Sequence, residues 1–290
     1  MEIDFIGIGC QKCGTTKIAS LIRAHPQVCF AEPKALAYFN KNNSYYQKGN
    51  NPNYNLGLDN YFTHFKHKAS EKISGEFSTD YIYERKAAEL IKATFPEIKL
   101  IVCLRNPIDR VVSQYQWLTL FLQVEQRTFS TLIREEKELI EKSVYHKHLK
   151  HYFNLFEPDK IKVIILEKFA TNASVELKNL YQFLEIDDSF LPEDLNKYEN
   201  KKRKTRSILL SKTYGKFVEL MVYSGNSWVI KKLRNTPLRK LFQKINSKSI
   251  ANNFSLSNED IHFIKSKTEA DVIALEQLLS IDLSIWKNKY

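Results

Sequence analysis

The residues best placed to do chemistry form a glycine-bearing loop near the N-terminus, Gly9-Cys10-Gln11-Lys12-Cys13-Gly14-Thr15-Thr16. An apolar run precedes this loop and a segment with helical spacing follows it, which predicts a strand, a loop and a helix in succession. Such a loop points backbone N–H groups and the positive end of a helix dipole at one spot, which suits a phosphate. Gly14 allows close approach, Thr15 and Thr16 add hydroxyl donors, and Lys12 adds a mobile charge. The alternative is an ordinary strand-to-helix turn that binds nothing.

The position of the lysine separates this loop from that of the nucleotide triphosphatases. Their pattern, GxxxxGK[ST], places the lysine after the last glycine, and the next residue holds magnesium. Here Lys12 precedes Gly14, and no acidic strand end follows that would complete a magnesium site. A metal-dependent nucleotide kinase is therefore a disfavoured alternative, and we predict no metal site.

A second segment whose residues could bind a ligand extends from Cys103 to Tyr115, where an apolar strand ends in Leu104-Arg105-Asn106-Pro107. Open α/β sheets bind ligands at the carboxyl ends of their parallel strands, so Arg105 is expected on the same rim as the glycine loop. Its guanidinium suits a second phosphate, and Ser113, about two turns into the next helix, could add a hydroxyl. Arg105 could instead cap a helix or pair with Asp109.

The elements that must position these residues alternate between strand and helix. Predicted strands cover Ile3–Gly9, Lys99–Leu104 and Lys160–Glu167; predicted helices cover Thr16–Ala24, the stretch after Pro107, Val175–Leu184, Tyr214–Ile230 and Asp260–Leu279; Asn42–Asn60 is predicted to be loop. This alternation predicts an α/β, P-loop-like three-layer fold, with a central parallel sheet and helices on both faces. We expect one domain over residues 1–290.

Composition narrows the class of protein further. The 290 residues are 43% hydrophobic and carry a formal charge of +11, so anionic partners are expected. A nucleic-acid-binding module is a weaker alternative, because the basic clusters are also typical of solvated helix faces.

No apolar run approaches the roughly 20 residues of a membrane span. The four cysteines lie at positions 10, 13, 29 and 103, do not form a disulfide framework and predict a cytoplasmic location.

Three motifs, in order and spacing, resemble the PAPS-dependent sulfotransferase family, where PAPS is 3′-phosphoadenosine 5′-phosphosulfate. They are QKCGTT in the loop, GEFSTDY at Gly75 to Tyr81, and LRNPIDRVVSQY at Leu104 to Tyr115. Leu283 to Trp286 is similar to the closing segment of bacterial members, some related to carbohydrate and small-molecule sulfotransferases. The resemblance implies transfer of a sulfuryl group from PAPS to a hydroxyl or amine of a small molecule or glycan, without metal or nucleic acid.

The resemblance also implies a role for individual residues. The 5′-phosphosulfate would be bound by the loop residues Gln11, Lys12, Cys13, Gly14, Thr15 and Thr16, and the 3′-phosphate by Arg105, Ser113 and the basic residues Lys201, Lys202 and Arg203. Lys12 would stabilise the charge that grows on the leaving oxygen. Tyr38, Phe39 and Tyr81 would lie beside the acceptor.

Two departures from the family pattern concern proton transfer. The usual Lys-Glu pair reads Lys34-Ala35 here, which removes the expected general base, and Phe77 replaces a second lysine after Glu76. The remaining candidates for a base are Glu32, Glu76, Asp80 and His64, of which we name Glu76 as catalytic. Two alternatives stay open: an acceptor that needs no base, and a protein that binds nucleotide but has lost activity.

Overall fold

The computed structural model describes residues 2–41, 51, 53–66, 71–122, 124–195, 203–205, 247–249 and 255–290. The strands are β1 (Phe5–Gly9), β2 (Val28–Phe30), β3 (Ile73–Phe77), β4 (Lys99–Leu104), β5 (Ile161–Ile165), β6 (Arg203–Thr205) and β7 (Ser247–Ser249). The α-helices are α1 (Thr15–Ala24), α2 (Leu58–Phe62), α3 (Arg85–Thr94), α4 (Pro107–Gln116), α5 (Phe129–Glu135), α6 (Lys137–Glu141), α7 (Tyr145–Leu155), α8 (Leu166–Thr171), α9 (Ala173–Leu184), α10 (Asn258–Leu279) and α11 (Ser284–Lys287).

A five-stranded sheet in the order β2-β3-β1-β4-β5 forms the centre of the fold. All neighbouring strands in it run parallel. Every residue of β1 is buried, as expected for a strand covered on both faces by helices. The predicted α/β fold with a central parallel sheet flanked by helices is confirmed.

Several predicted boundaries differ from those observed. The strand predicted over Lys160–Glu167 ends at Ile165, because Leu166 and Glu167 open α8. The loop predicted for Asn42–Asn60 runs into α2, which begins at Leu58. Strand β2 has three residues and was not predicted, because so short a run shows no periodicity. The helix predicted for Tyr214–Ile230 lies outside the described residues.

The chain divides into two compact units. One comprises Met1–Val111, Glu136–Lys197 and Ile261–Tyr290, and contains the parallel sheet; the other comprises Val112–Glu135 and Tyr198–Asp260. In the second unit β6 pairs with β7 in antiparallel orientation, and Asp260 accepts hydrogen bonds from Ser130 and Arg134. The single domain expected over residues 1–290 stays a prediction. Within the described residues, no helix combines the length and apolarity needed to cross a membrane.

A buried carboxylate on β3 connects that strand to the segment after β2. Glu76 is 0% exposed, and its two oxygens accept hydrogen bonds from the hydroxyls of Tyr81 at 2.6 Å and Ser78 at 2.7 Å. The same Ser78 hydroxyl accepts from the Ala37 N–H at 2.9 Å. Burial raises the pKa of Glu76 to about 7, although the hydrogen bonds from Tyr81 and Ser78 act in the opposite direction.

The raised pKa of Glu76 predicts a pH dependence of stability that a Glu76→Gln variant lacks. A carboxyl whose pKa is higher in the folded than in the unfolded state stabilises below its unfolded pKa, and this contribution is lost as pH rises through about 7. Between pH 5 and pH 8 the free energy of unfolding of the variant, relative to wild type, should rise by on the order of 2 kcal/mol. Urea unfolding at both pH values measures this. Glu89→Gln, at an exposed site, is the control; parallel curves for wild type and Glu76→Gln would contradict the prediction.

Candidate anion-binding and active site

The loop between β1 and α1 takes a backbone path that depends on glycine at one point. Gly14, the residue before α1, has a φ of 79°, and a Cβ there would lie 2.5 Å from Cδ1 of Leu166. A side chain at this position would be both strained and sterically blocked. Among the described residues no side chain caps the N-terminus of α1, and its first turn contains no acidic residue. The positive end of the helix dipole is therefore left open, an arrangement that suits an anion; binding of a phosphate there stays a prediction.

The carboxyl ends of β1 and β4 bring the two predicted phosphate-binding regions together. The Cys10 N–H donates to the carbonyl of Cys103 at 3.0 Å, which continues the strand pairing into the loop. One step further, Nη1 of Arg105 donates to the carbonyl of Lys12 at 3.3 Å. Lys12 and Arg105, which are 93 positions apart in the chain, are thus neighbours on one rim.

Tyr145, which was not predicted to be a site residue, contacts both the glycine loop and the end of β4. Tyr145, at the start of α7, is 0% exposed, and its hydroxyl donates to the carbonyl of Arg105 at 2.8 Å. The same oxygen lies 3.6 Å from Sγ of Cys13. One rigid phenol therefore contacts the glycine loop and the end of β4 at once. Nothing in the local sequence around Tyr145 signals this role.

The end of β4 is also held by an acid and a tryptophan from distant parts of the chain. Glu167 accepts hydrogen bonds from the Asn106 N–H at 2.9 Å and from the Trp286 indole N–H at 2.8 Å. The Asn106 side chain donates to the Trp286 carbonyl at 3.0 Å and accepts from the Ile108 N–H at 2.9 Å, which caps α4. These contacts position the backbone that carries Arg105.

Positive charge is concentrated and partly buried around the loop. The pKa of Lys12 is lowered to about 8, chiefly by burial and also by the nearby guanidinium groups of Arg105 and Arg110. Arg110 is 0% exposed and donates to the Leu139 carbonyl at 2.9 Å. A site with this electrostatic character favours an anionic ligand.

Lys34 approaches the same helix end from the β2 side of the sheet. Its Nζ donates to Oγ1 of Thr15, the first residue of α1, at 3.2 Å, and lies 5.3 Å from the centre of the Phe77 ring. Burial lowers the pKa of Lys34 to about 8. The sequence interpretation did not include Lys34 among the site residues, because the strand that precedes it, β2, is too short to be predicted from periodicity.

The candidate bases lie in different surroundings. Gln11 in the loop donates to Asp80 at 2.8 Å, so Asp80 is the candidate carboxylate tied to the loop. Glu32 is exposed, and its backbone carbonyl accepts from Nδ1 of His64 at 2.9 Å, which leaves Nε2 of a neutral His64 as a proton acceptor. Glu76 has both oxygens engaged in the interior, which supports its structural role. Its catalytic role stays a prediction.

The aromatic residues predicted beside the acceptor are mostly interior. Phe39 is 2% and Tyr81 0% exposed, and their rings pack with centroids 5.6 Å apart. Tyr38 is 7% exposed and lines a small pocket that includes Asn53 and His64. Ala35, at the position where the resemblance expects the base, is exposed.

Other predicted nucleotide-binding residues are only partly described. Ser113 lies on α4 and is half-buried, within the second compact unit. Lys201 and Lys202 lie outside the described residues, and for Arg203 only the backbone, in β6, is described. Cys13 is buried and Thr16 exposed at the loop.

Known sulfotransferases are similar to this chain in sequence. Over 159 residues the chain is 32% identical to the membrane-associated sulfotransferase kil1 of Dictyostelium discoideum, covering 52% of this chain and 31% of that protein. Over 193 residues it is 24% identical to the human heparan sulfate glucosamine 3-O-sulfotransferase 5, covering 62% of this chain and 52% of the relative. The matched region thus spans about half or less of the length of either relative.

Structural comparison agrees with the sequence relationship. The crystal structure of a sulfotransferase from Alicyclobacillus acidocaldarius superposes with a TM-score of 0.71 at 20% identity, covering 99% of both chains, which shows a shared fold. Residues 2–208, well over half of this chain, match the family defined by the sulfotransferase domain. With the glycine loop, Lys12 and Arg105 together on the rim of a parallel sheet, the chain belongs to the sulfotransferase family.

Proposed function

We propose that this chain transfers a sulfuryl group from PAPS to a hydroxyl or amine of a small-molecule or glycan acceptor and releases adenosine 3′,5′-bisphosphate. The observation that supports this proposal is the contact between Arg105 and the Lys12 carbonyl, which brings the two proposed anion sites together on one rim. A donor with phosphate groups at both its 5′ and 3′ positions requires two such sites. A cytoplasmic location is proposed as well, supported by four cysteines that are all free thiols.

The donor-binding groups fit the charges of this nucleotide. The N-terminus of α1, with Lys12, Thr15 and Thr16, would bind the 5′-phosphosulfate, with Gln11 and Cys13 shaping the loop. Arg105 and Ser113, with Lys201, Lys202 and Arg203, would bind the 3′-phosphate. No metal is invoked, because ammonium, guanidinium and backbone amide groups supply the opposite charge.

Transfer breaks the bond from sulfur to the bridging phosphate oxygen and forms a bond from sulfur to the acceptor atom. The bisphosphate leaves with the electron pair, and the acceptor proton passes to a base or to solvent. We propose that Lys12 stabilises the charge that develops on the bridging oxygen, which lowers the transition state more than the bound ground state. Positioning of donor and acceptor supplies the rest of the rate acceleration.

Our first functional prediction is that adenosine 3′,5′-bisphosphate raises the melting temperature in the presence of EDTA. A ligand that binds only the native state stabilises it by mass action. Differential scanning fluorimetry measures the shift, with 5′-AMP as the control that lacks the 3′-phosphate. Stabilisation by ATP with magnesium, and none by the bisphosphate, would instead support the kinase alternative.

Arg105→Ala should weaken binding of adenosine 3′,5′-bisphosphate by about 30-fold, on the order of 2 kcal/mol for one charge-assisted contact. Its effect on the maximal rate should be smaller, since its partner phosphate is remote from the reacting sulfur. Calorimetric titration measures the affinity, and Ser113→Ala should act in the same direction but less strongly. Arg85→Ala is the matched control, because Arg85 is exposed at the start of α3. Unchanged affinity in Arg105→Ala would remove Arg105 from the nucleotide site.

Lys12→Ala should lower the maximal rate by roughly 100-fold, about 2.7 kcal/mol, with a smaller loss of nucleotide affinity. Lys12→Arg should recover little activity, because a planar guanidinium does not replace a compact ammonium. The assay follows labelled sulfate from PAPS onto a panel of acceptors, with the exposed Lys86→Ala as control. Near-normal turnover by Lys12→Ala would contradict the mechanism.

A further inference from the structure

Lys34 is a second cation at the N-terminus of α1 that the sequence motifs did not assign to the site. Its hydrogen bond to Thr15 Oγ1, at 3.2 Å, places its ammonium at the first residue of the helix. Among the described residues the Thr15 hydroxyl is the one hydrogen-bond partner of the Lys34 ammonium, and no carboxylate forms an ion pair with this ammonium. A partly buried ammonium with a single neutral partner is stabilised when an anion binds beside it.

The sheet order determines which part of the donor Lys34 can reach. Arg105 follows β4 and Lys34 follows β2, with β3 and β1 between these two strands. The two cations therefore approach the glycine loop from opposite sides. A nucleotide whose 3′-phosphate is bound by Arg105 directs its 5′ end toward the Lys34 side.

The segment that carries Lys34 continues toward the small pocket described above. Ala35 is exposed, and Leu36 and Tyr38 line that pocket together with His64. Lys34 therefore contacts the helix end, where the donor phosphosulfate would bind, and lies two positions before the first residue that lines this small pocket. A donor whose 5′ end points toward this side would present its sulfuryl oxygens to Lys34, beyond its nucleotide phosphates.

We propose that Lys34 is a catalytic residue that binds the non-bridging oxygens of the sulfuryl group during transfer. This inference rests on the proposed function and names a group for the same site. Lys12 stabilises the leaving oxygen, while Lys34 binds the sulfuryl group as it is transferred. The Phe77 ring, 5.3 Å below the ammonium, and the Thr15 hydroxyl fix its direction. The lowered pKa of Lys34 fits an ammonium that is partly desolvated before the anion binds.

The distinguishing experiment compares a ligand that carries the sulfuryl group with one that lacks it. Calorimetry gives the dissociation constants of PAPS and of adenosine 3′,5′-bisphosphate for wild type, Lys34→Met and Lys34→Arg. Lys34→Met should weaken PAPS binding by about 10-fold and change bisphosphate binding less than 3-fold. The release of bisphosphate from PAPS, with water or an identified acceptor, should slow by on the order of 100-fold. Lys34→Arg keeps the charge and should retain part of the preference for PAPS.

The control is Lys92→Met, since Lys92 also lies over a phenylalanine ring, Phe156, and donates to a neutral oxygen, but stands on α3. It should leave both affinities unchanged. If Lys34→Met weakens PAPS and bisphosphate equally, or neither, the assignment of Lys34 is wrong. If wild type binds neither nucleotide, the proposed function itself fails. Circular dichroism confirms folding, and Lys34→Gln replaces Lys34→Met if that variant does not fold.

Discussion

The site depends on positive charge that is gathered around the N-terminus of α1, whose first turn contains no acidic residue. Lys12 and Lys34 both have pKa values near 8 because burial disfavours their charged forms, and Arg110 is fully enclosed behind the loop. Burying like charges together is unfavourable unless an opposite charge compensates for them. Under the proposed function a bound phosphate or sulfate would supply that charge, and the stability of this region and its affinity for anions would then have the same physical origin.

This arrangement requires a rigid frame, which the parallel sheet provides. Adjacent strands β1 and β4 end at the same edge, and their pairing continues into the loop through the Cys10 to Cys103 hydrogen bond. Tyr145 and Glu167 then hold the backbone at Arg105. The Tyr145 hydroxyl donates to the Arg105 carbonyl, and Glu167 accepts from both the Asn106 N–H and the Trp286 indole N–H. Preorganised cations lose little entropy when a ligand binds, and their effect on a transition state is correspondingly larger.

The proposed donor side and the proposed acceptor side of the site are built differently. Backbone amides and strand ends dominate the donor side, and these depend on the fold more than on single side chains. The acceptor side depends on the chain from Ala31 to Lys41, where Ala35 replaces the expected carboxylate and Glu76 is turned into the interior. Tyr81 and Phe39 support this segment as core residues, so the groups that meet an acceptor are fewer than the aromatic content of the sequence implied.

Local sequence was sufficient for the features that repeat along the chain or occur as short motifs. The spacing of apolar residues predicted β1, α1, β4 and α9 within a few positions, because periodicity is a local property. The anion site predicted from the glycine loop and Lys12 also rests on local turn chemistry and stays a prediction. Only the tertiary structure decided what depends on contacts between distant residues. Tyr145 beneath the loop, Glu167 bonded to Trp286 over 119 positions, and Lys34 at Thr15 arise from strand order and helix packing. The inward orientation of Glu76 also depends on the tertiary structure. Both faces of its strand are buried, so the sequence does not indicate which groups will surround the Glu76 side chain.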